Sequence, residues 1–165
     1  DDVESRGLGD VYKRQVYEGL KAANGTDYVL IHDGARPLVD NEIIVRSMHT
    51  VEKEQACVAG MPVKDTIKVS DELGYSANTP DRKSLWQIQT PQCFEYDLLA
   101  QSYDKLFSDM SYGKNVPAIT DDAMIVEYGS DTKVKLIEGS YENIKVTTPE
   151  DMGIAELFLK KRRKM

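Results

Sequence analysis

The chain has 165 residues, of which 41% are hydrophobic and 30% are charged, and its net charge is −7 at pH 7. This length allows one domain with a buried core, and the composition is typical of a soluble globular protein rather than a disordered one. The acidic net charge disfavours a general nucleic-acid-binding role. No apolar run approaches the roughly 20 residues needed to cross a bilayer, and the N-terminus lacks the apolar core of a signal peptide, so we expect a cytoplasmic location.

The first fifteen residues do not resemble part of a domain. They show no clear helical or strand period, and residues 10–15 resemble the translation of a transposon end used in preparing sequencing libraries. We therefore predict a non-native leader over residues 1–15 and a partial domain over residues 16–165. A genuine disordered leader is the alternative.

The predicted elements begin with a helix and a buried strand. Residues 16–23 form the end of a helix, which the Asn24-Gly25 pair terminates. Residues 28–31 are a continuous apolar run, which is typical of a strand buried on both faces. Asp40 or Asn41 then caps a helix that runs to about residue 55, and residues 57–61 form the next strand.

From about residue 64 to residue 86 the chain is too polar for a core sheet. Residues 71–74 have turn character and separate two short stretches with strand character, which predicts a hairpin. An isolated hairpin is only marginally stable in water. We therefore expect this projecting β-arm to pack on another surface, most simply on a second copy of the chain.

The C-terminal half continues the alternation. Three strands are predicted at residues 85–89, 133–137 and 144–147, and three helices at residues 96–107, 121–128 and 149–164. Thr120 and Thr148 are the expected caps of the last two helices. Ile154, Leu157 and Phe158 form the expected buried stripe of the last one. Strands that alternate with helices predict an α/β sheet.

The clearest candidate site follows the first predicted strand. Asp33 lies just past its end, where ligands bind in open α/β sheets, and a carboxylate there can hold Mg²⁺ together with substrate phosphates. Gly34 allows close backbone approach, and Arg36 offers a forked donor to a phosphate. Asp33 is equally compatible with a turn residue that bonds its own backbone. We expect His32 to be a satisfied structural histidine.

Other candidates are weaker. Thr66 follows a strand and a lysine, and suits either a phosphate or polyol contact or a solvated loop. Arg82, on the return limb of the β-arm, has the character of a surface charge. Lys145 lies in a short apolar strand and either points toward neighbouring strand ends or extends to solvent. Asp121 and Asp122 are expected to be first-turn charges favoured by the helix dipole.

Several common sites find no support in the sequence. There is no Gly-rich phosphate loop, no Ser/His/Asp triad and no zinc-type cluster. Cys57 and Cys93 lack metal-type spacing and are expected to be reduced packing residues.

Six stretches nevertheless form an ordered set: residues 32–37 (HDGARP), 62–68 (PVKDTIK), 81–82 (DR), 85–92 (LWQIQTPQ), 120–123 (TDDA) and 142–151 (ENIKVTTPED). Together they resemble the 2-C-methyl-D-erythritol 4-phosphate cytidylyltransferases of the non-mevalonate isoprenoid pathway. The resemblance extends from Val16 to about Lys161. Each stretch alone is a weak signal, and their order makes the set specific.

This resemblance implies a Rossmann-like nucleotidyltransferase sheet and transfer of CMP from CTP to a sugar-alcohol phosphate, with release of pyrophosphate. Asp33 would be the Mg²⁺ ligand. Arg36, Thr66, Arg82 and Lys145 would hold methylerythritol phosphate, and the last two would orient its phosphate oxygen for attack on the α-phosphorus. The β-arm would reach across a homodimer, so Thr66 and Arg82 would serve the neighbouring subunit's site.

The sequence also departs from this family. Family members begin with a strand and a Gly-rich loop whose arginine and lysine grip the triphosphate, and they carry a later Gly-Gly segment near the base and ribose. Neither feature is found here. We therefore expect a sheet that is incomplete at its N-terminus. We also expect this fragment to be weak or inactive alone, whereas the full-length parent is an enzyme.

Two alternatives remain. A ribitol-5-phosphate cytidylyltransferase has the same order of motifs, although the residue types at positions 33–36 and 79–82 favour the isoprenoid enzyme. A non-catalytic α/β dimerisation module is the alternative from another class, and it predicts no magnesium-dependent ligand binding. A Rossmann-type oxidoreductase is disfavoured because the sequence has no dinucleotide loop.

Overall fold

A computed structural model describes residues 13–163 of the chain. Four strands form one sheet, namely β1 (Tyr28–Ile31), β2 (Ala56–Pro62), β5 (Trp86–Glu95) and β6 (Lys135–Glu138), and a separate hairpin pairs β3 (Val69–Ser70) with β4 (Ser76–Asn78). The helices are α1 (residues 13–22), α2 (Asn41–Glu54), α3 (Tyr96–Ser111), α4 (Asp122–Gly129) and α5 (Pro149–Arg162). The predicted leader falls mostly outside the described residues, and its residues 13–15 belong to α1.

The sheet has the strand order β1-β5-β2-β6. Strand β5 is antiparallel to both β1 and β2, and β2 is parallel to β6. Helices pack on both faces, because alternate residues of β2 enter opposite core clusters. Ala56 and Val58 pack in the cluster with residues of α3 and α4, whereas Cys57 and Ala59 pack in the cluster with residues of α2. The predicted α/β sheet is therefore confirmed.

The expectation that residues 28–31 form a strand buried on both faces was wrong. Strand β1 lies at one edge of the sheet, no strand within residues 13–163 pairs with its outer edge, and Leu30 is 37% exposed. An apolar run reports the chemistry of a strand's side chains. It does not report how many neighbouring strands and helices cover them.

The strand predicted at residues 85–89 was expected to end there, and this was also wrong, because β5 continues to Glu95. Val58 of β2 is opposite Gln92, but Gly60 is opposite Ile88, so residues 89–91 bulge out of the ladder. Pro91 has no N–H to donate, and a bulge is a place where a strand tolerates proline. Proline interrupts the pairing here without ending the strand.

The two cysteines are free and fully buried, and they face each other across β2 and β5. Contact with Cys93 and burial raise the pKa of the Cys57 thiol. They pack against the α2 side of the sheet, as expected for reduced packing residues.

Side-chain caps begin three of the helices. Asp40 caps α2, and its Oδ1 accepts the Ile43 N–H at 2.9 Å. Thr148 caps α5 in a reciprocal pair with Asp151. Both caps agree with the sequence, but the cap of α4 is Asp121 and not the predicted Thr120. Aspartate is a better N-cap than threonine, so residue type alone favours Asp121 over Thr120.

The predicted buried stripe of α5 was wrong. Ile154 is 45% exposed and Leu157 is 64% exposed, whereas the buried residue of this helix is Ala155. Ion pairs from its last turn to Glu142 hold α5 on the body instead. A small residue allows close approach of a helix, and periodicity alone does not reveal that choice.

The segment that leads into α5 was predicted as a strand at residues 144–147, and this was wrong as well. It is extended without a strand partner in the described sheet. One backbone bond of 2.7 Å, from the Val146 N–H to the Ala35 carbonyl, fixes it beside the end of β1.

The β-arm forms the predicted hairpin, with Gly74 at φ +84° in its turn.

None of the helices in residues 13–163 is long and apolar enough to cross a membrane.

Candidate active site

A cavity of about 440 Å³ opens where β1 ends, beside the bulge of β5 and the N-terminus of α4. Its walls are formed by Asp33, Arg36, Ile88, Gln89, Thr90, Gln92, Thr120, Asp121 and Lys145. Three of these residues, Asp33, Arg36 and Lys145, are candidates from the sequence. They come from segments more than 100 residues apart, so the fold itself brings them together.

Asp33 holds the two cations on one oxygen. Lys145 Nζ lies 3.1 Å from Asp33 Oδ2, and Arg36 Nε lies 3.5 Å from the same atom. The Asp33 and Arg36 side chains are mostly buried, whereas that of Lys145 is about half exposed. Around Asp33, one carboxylate and two cations leave a local positive charge, which favours an anionic ligand there. Asp121 adds a second carboxylate elsewhere on the lining, so the cavity as a whole is formally neutral.

A short turn presents Asp33 and Arg36 to the cavity. The Arg36 N–H donates to the Asp33 carbonyl at 2.9 Å, which closes the turn. Outside the turn, the Asp33 N–H donates to Thr90 Oγ1 at 3.0 Å, and Arg36 Nη1 donates to the Asn143 carbonyl at 2.8 Å. The turn is therefore fastened to β5 on one side and to the segment before α5 on the other.

His32 is satisfied at both ring nitrogens, as expected from the sequence. Nδ1 lies 3.0 Å from Thr90 Oγ1, and Nε2 lies 3.0 Å from the Arg36 carbonyl. The ring does not line the cavity. Its partners nevertheless belong to the cavity wall, which the sequence could not indicate.

Sequence reasoning missed two amide side chains, Gln89 in the cavity wall and Asn143 buried behind it. Asn143 is fully buried, and its Nδ2 donates to the Thr90 carbonyl at 2.8 Å and to Gln89 Oε1 at 3.4 Å. Gln89 also pairs with the backbone of Ser140, donating to its carbonyl at 2.8 Å. Both amides lie in the quoted stretches of the sequence, but no spacing rule distinguishes them from surface amides.

Two buried polar atoms of this wall lack a hydrogen-bond partner within the described part of the chain. They are Asn143 Oδ1 and Arg36 Nε. Buried polar groups are almost always satisfied. Arg36 Nε is instead ion-paired with Asp33 Oδ2 at 3.5 Å.

The two aspartates at the start of α4 differ from each other. Asp121 caps the helix through the Met124 N–H, accepts from Gln92 Nε2 at 3.1 Å, and lines the cavity. Asp122 is buried and accepts from the Tyr103 hydroxyl at 2.6 Å. Both lie at the helix start as predicted, but Asp122 is a core residue and Asp121 is a wall residue, rather than solvated charges.

The two β-arm candidates lie away from this cavity wall. Thr66 and Arg82 are exposed and do not line the cavity. Arg82 begins a short 3₁₀ turn, Arg82–Ser84, and its Nη1 donates to the Lys64 carbonyl at 2.8 Å. Their assignment to a neighbouring subunit's site stays a prediction.

The acidic groups fit a metal that is held jointly with substrate. Within residues 13–163, no three Asp, Glu, His or Cys side chains are grouped so that they could hold a metal by themselves. Two carboxylates, Asp33 and Asp121, line the cavity. Mg²⁺ is commonly bound through one or two carboxylates plus substrate phosphates, and this donor set suits that arrangement.

The family of the chain can now be stated. The family model described as IspD, 2-C-methyl-D-erythritol 4-phosphate cytidylyltransferase, matches residues 7–161. The chain belongs to this family. The resemblance inferred from six short stretches is thereby confirmed.

Individual relatives agree with the family model. A 2-C-methyl-D-erythritol 4-phosphate cytidylyltransferase from Lachnospira eligens is 50% identical over 145 residues, which cover 88% of this chain and 62% of the relative. One from Alkaliphilus oremlandii is 50% identical over 149 residues, which cover 90% of this chain and 60% of the relative. The chain thus spans about three fifths of the length of these curated relatives.

Solved structures show the same fold. The crystal structure of a 4-diphosphocytidyl-2C-methyl-D-erythritol synthase from Anaerococcus prevotii superposes with a TM-score of 0.80 at 35% identity, over 90% of this chain and 63% of that one. A 2-C-methyl-D-erythritol 4-phosphate cytidylyltransferase from Thermus thermophilus gives a TM-score of 0.74 at 28% identity, over 90% and 68% of the two chains. These structures confirm the predicted nucleotidyltransferase fold.

Proposed function

We propose that the protein to which this chain belongs transfers CMP from CTP to 2-C-methyl-D-erythritol 4-phosphate, as a step of isoprenoid precursor synthesis in the non-mevalonate pathway. The observation that carries the proposal is the convergence of Asp33, Arg36 and Lys145 on one cavity wall in a chain of this family. A phosphate oxygen of the acceptor attacks the α-phosphorus of CTP, the bond to the bridging oxygen breaks, and pyrophosphate leaves.

The wall suits the requirements of this reaction. Transfer between phosphates needs positioning and neutralised charge more than a covalent nucleophile. Arg36 presents a forked donor for phosphate oxygens, and Lys145 adds a half-exposed ammonium that can follow the reacting oxygen. We assign both to the acceptor phosphate, with Lys145 orienting its attacking oxygen.

We further propose that Asp33 holds a divalent cation, with Mg²⁺ as the expected ion. A bound Mg²⁺ neutralises phosphate charge in reactions of this class. Arg36 and Lys145 share Asp33 Oδ2, so a cation held by Asp33 would compete with them for that oxygen. Both side chains would then be available to a substrate phosphate. Asp121 lies on the same cavity wall, but its carboxylate already caps α4 and accepts from Gln92.

We propose a homodimer formed through the β-arm. Apolar side chains on the β-arm are exposed, including Val69, Leu73 and Tyr75, and a second copy would cover them. At the base of the β-arm, Lys64 Nζ lies 3.4 Å from the centre of the Tyr141 ring, which joins the β-arm to the segment before α5. Thr66 and Arg82 then serve the neighbouring subunit's cavity. The cytoplasmic location stays a prediction.

Pyrophosphate release tests the function. The protein made from the complete reading frame of the gene should release pyrophosphate from CTP and methylerythritol phosphate when Mg²⁺ is present. The 165-residue chain alone should be weak or inactive, and turnover at a rate typical of enzymes would contradict that expectation.

The acceptor is tested in the same assay. Ribitol 5-phosphate should be a poor substrate beside methylerythritol phosphate, and a reversed preference would reassign the acceptor. If the complete protein released no pyrophosphate with either acceptor, the proposed function would be wrong and a non-catalytic dimerisation module would be the better description.

A further inference from the structure

His32 connects three parts of the cavity wall without lining the cavity itself. It follows the last residue of β1 and lies beside the turn of residues 33–36. One ring nitrogen contacts Thr90 in the bulge of β5, and the other contacts the backbone of Arg36. The same Thr90 hydroxyl accepts the Asp33 N–H. Both hydrogen-bond contacts of its ring are therefore to residues of the cavity wall.

The directions of these hydrogen bonds follow from chemistry. The Arg36 carbonyl can only accept, so Nε2 of His32 must carry the proton. In the neutral ring, Nδ1 then accepts from the Thr90 hydroxyl. That hydroxyl oxygen in turn accepts the Asp33 N–H. The donors run in one direction, from Asp33 through Thr90 and His32 to the Arg36 carbonyl, and each atom in the series has a partner.

The series of bonds encloses the turn that carries Asp33 and Arg36. Within the turn, a single backbone bond joins the two residues. The external series fixes the N–H of Asp33 and the carbonyl of Arg36, which are the two ends of the turn. Removing the ring would leave the Arg36 carbonyl without its donor and the Thr90 hydroxyl without its acceptor. This would loosen the turn that carries the Asp33 and Arg36 side chains.

We propose that His32 is a positioning residue of this site. Held as the Nε2–H tautomer between Thr90 and the Arg36 backbone, it sets the directions of the Asp33 carboxylate and the Arg36 guanidinium in the cavity. The inference rests on the proposed function for its kinetic part only. Groups that orient the direct ligands of a metal or substrate typically contribute about 10–100-fold to affinity or activity.

Substitutions can separate the two ring contacts. In the complete protein, His32→Ala should lower kcat/KM about 10–100-fold, mainly through kcat, because a misaligned cluster binds substrate but rarely reaches the reacting geometry. His32→Asn keeps an acceptor near Thr90, and His32→Gln keeps a donor near the Arg36 carbonyl, so both should lose less than His32→Ala. His49→Asn is the matched control, since His49 is exposed on α2.

Thr90 supplies the second half of the test. Thr90→Val removes the hydroxyl and should lose much more activity than Thr90→Ser, which keeps it. The double variant His32→Ala/Thr90→Val should lose no more than the more damaging of its two single variants, because both break the same series of bonds. Losses that multiply in the double variant would overturn the proposal.

Two readouts do not require turnover. The chain has two histidines, so long-range ¹H–¹⁵N NMR spectra can assign each ring, with exposed His49 as the internal reference. His32 should be the Nε2–H tautomer, and the Asp33 amide should exchange with solvent faster in His32→Ala and Thr90→Val than in wild type. An Nδ1–H tautomer, or unchanged exchange, would overturn the proposal.

A stability control separates positioning from folding. Val51→Ala removes a buried side chain from the α2 side of the sheet and should lower the melting temperature without lowering kcat below that temperature. If His32→Ala behaved in the same way, His32 would be only structural. If the wild-type complete protein released no pyrophosphate, the proposed function would fail, while the tautomer and amide exchange would still decide the role of His32.

Discussion

The cavity wall and the β-arm are held in shape by different means. In the wall, hydrogen bonds join segments far apart in sequence, such as Asp33 with Thr90 and Arg36 with Asn143, which are 57 and 107 residues apart. In the β-arm, Asp71 Oδ1 accepts the N–H groups of Leu73 and Tyr75, two and four residues on. The wall is therefore a product of the whole fold, whereas the β-arm is local turn chemistry around an exposed ribbon.

This difference separates the two kinds of functional residue. Asp33, Arg36 and Lys145 already form one cluster within a single chain. Thr66 and Arg82 remain exposed, and they complete a site only if a second chain brings its cavity to the β-arm. The wall should therefore respond to substitutions as part of a folded core, and the β-arm as part of an assembly.

The largest expected effect tests that division directly. Lys145→Ala in the complete protein should lower kcat about 10²–10³-fold, as does the loss of one group that stabilises charge in a transition state. Arg82→Ala should lower it by a comparable factor if the β-arm serves a neighbouring cavity. Exposed Lys133→Ala is the control and should leave kcat unchanged.

Mixing the two defective proteins sharpens the result. A mixed dimer of the Lys145→Ala and Arg82→Ala chains would contain one cavity with both defects and one with neither, so activity should return after subunit exchange. If Arg82→Ala is defective and activity stays low after verified exchange, Arg82 acts within its own chain. Pyrophosphate release before and after mixing is the measurement.

Substitutions should lower the free energy of unfolding more in the cavity wall than in the β-arm. Asn143→Ala removes the side-chain donor of the Thr90 carbonyl in a buried setting, which should lower the free energy of unfolding by about 1–3 kcal/mol. Leu73→Ser lies at the β-arm turn, where Leu73 is 83% exposed, and should change it by less than about 0.5 kcal/mol. Urea unfolding at a concentration where the protein is monomeric compares the two, and equal losses would contradict the distinction.

Two glycine substitutions, one beside the cavity wall and one in the β-arm turn, should show a smaller difference between the two regions. A Cβ on Gly139 would collide with Gln89 Oε1, so Gly139→Ala should displace the wall amide and cost about 1–3 kcal/mol. Gly74 has open space around it but a φ of +84°, so Gly74→Ala should cost about 1–2 kcal/mol through backbone conformation alone. Only the first should also lower kcat, and loss of activity in both would argue that the β-arm turn shapes the cavity.

The same contrast explains what the sequence could predict. The β-arm hairpin, the Asp40 and Thr148 caps and the polar turn after β1 are encoded within a few residues, and each was predicted. Family resemblance pointed to Asp33, Arg36 and Lys145, which the fold brings to one wall. Residue types alone left the direction of Lys145 open, because its segment is fixed by a bond to Ala35 rather than by a strand ladder.

The missed features depend on packing between distant segments. Asn143 and Gln89 are important because each is buried against a backbone group from elsewhere in the chain. Leu30 and Leu157 are exposed because of what does not cover them in the described residues. Neither property has a periodicity or a spacing, so no local pattern could indicate it.

The smallest expected effect concerns pH and the junction of the wall with α5. Lys161 Nζ donates to Glu142 Oε1 at 2.7 Å, and Arg162 Nε lies 3.4 Å from Oε2. Lys161, and then Arg162, hold the pKa of Glu142 below its ordinary value of 4.5. A lowered folded-state pKa contributes stability that is complete above the ordinary value and is lost as pH falls through the folded one.

Glu142→Gln provides the measurement, because it removes this titration while keeping the side-chain length. The difference in unfolding free energy between wild type and Glu142→Gln should be constant at neutral pH and should shrink below pH 4.5. Because these cations are solvent-accessible, the difference should also fall with added salt. The β-arm offers the reference: a Leu73→Ser variant should follow the wild-type pH curve in parallel. A Glu142→Gln difference that did not shrink in acid would mean that α5 is held by the packing of Ala155 and not by its ion pairs.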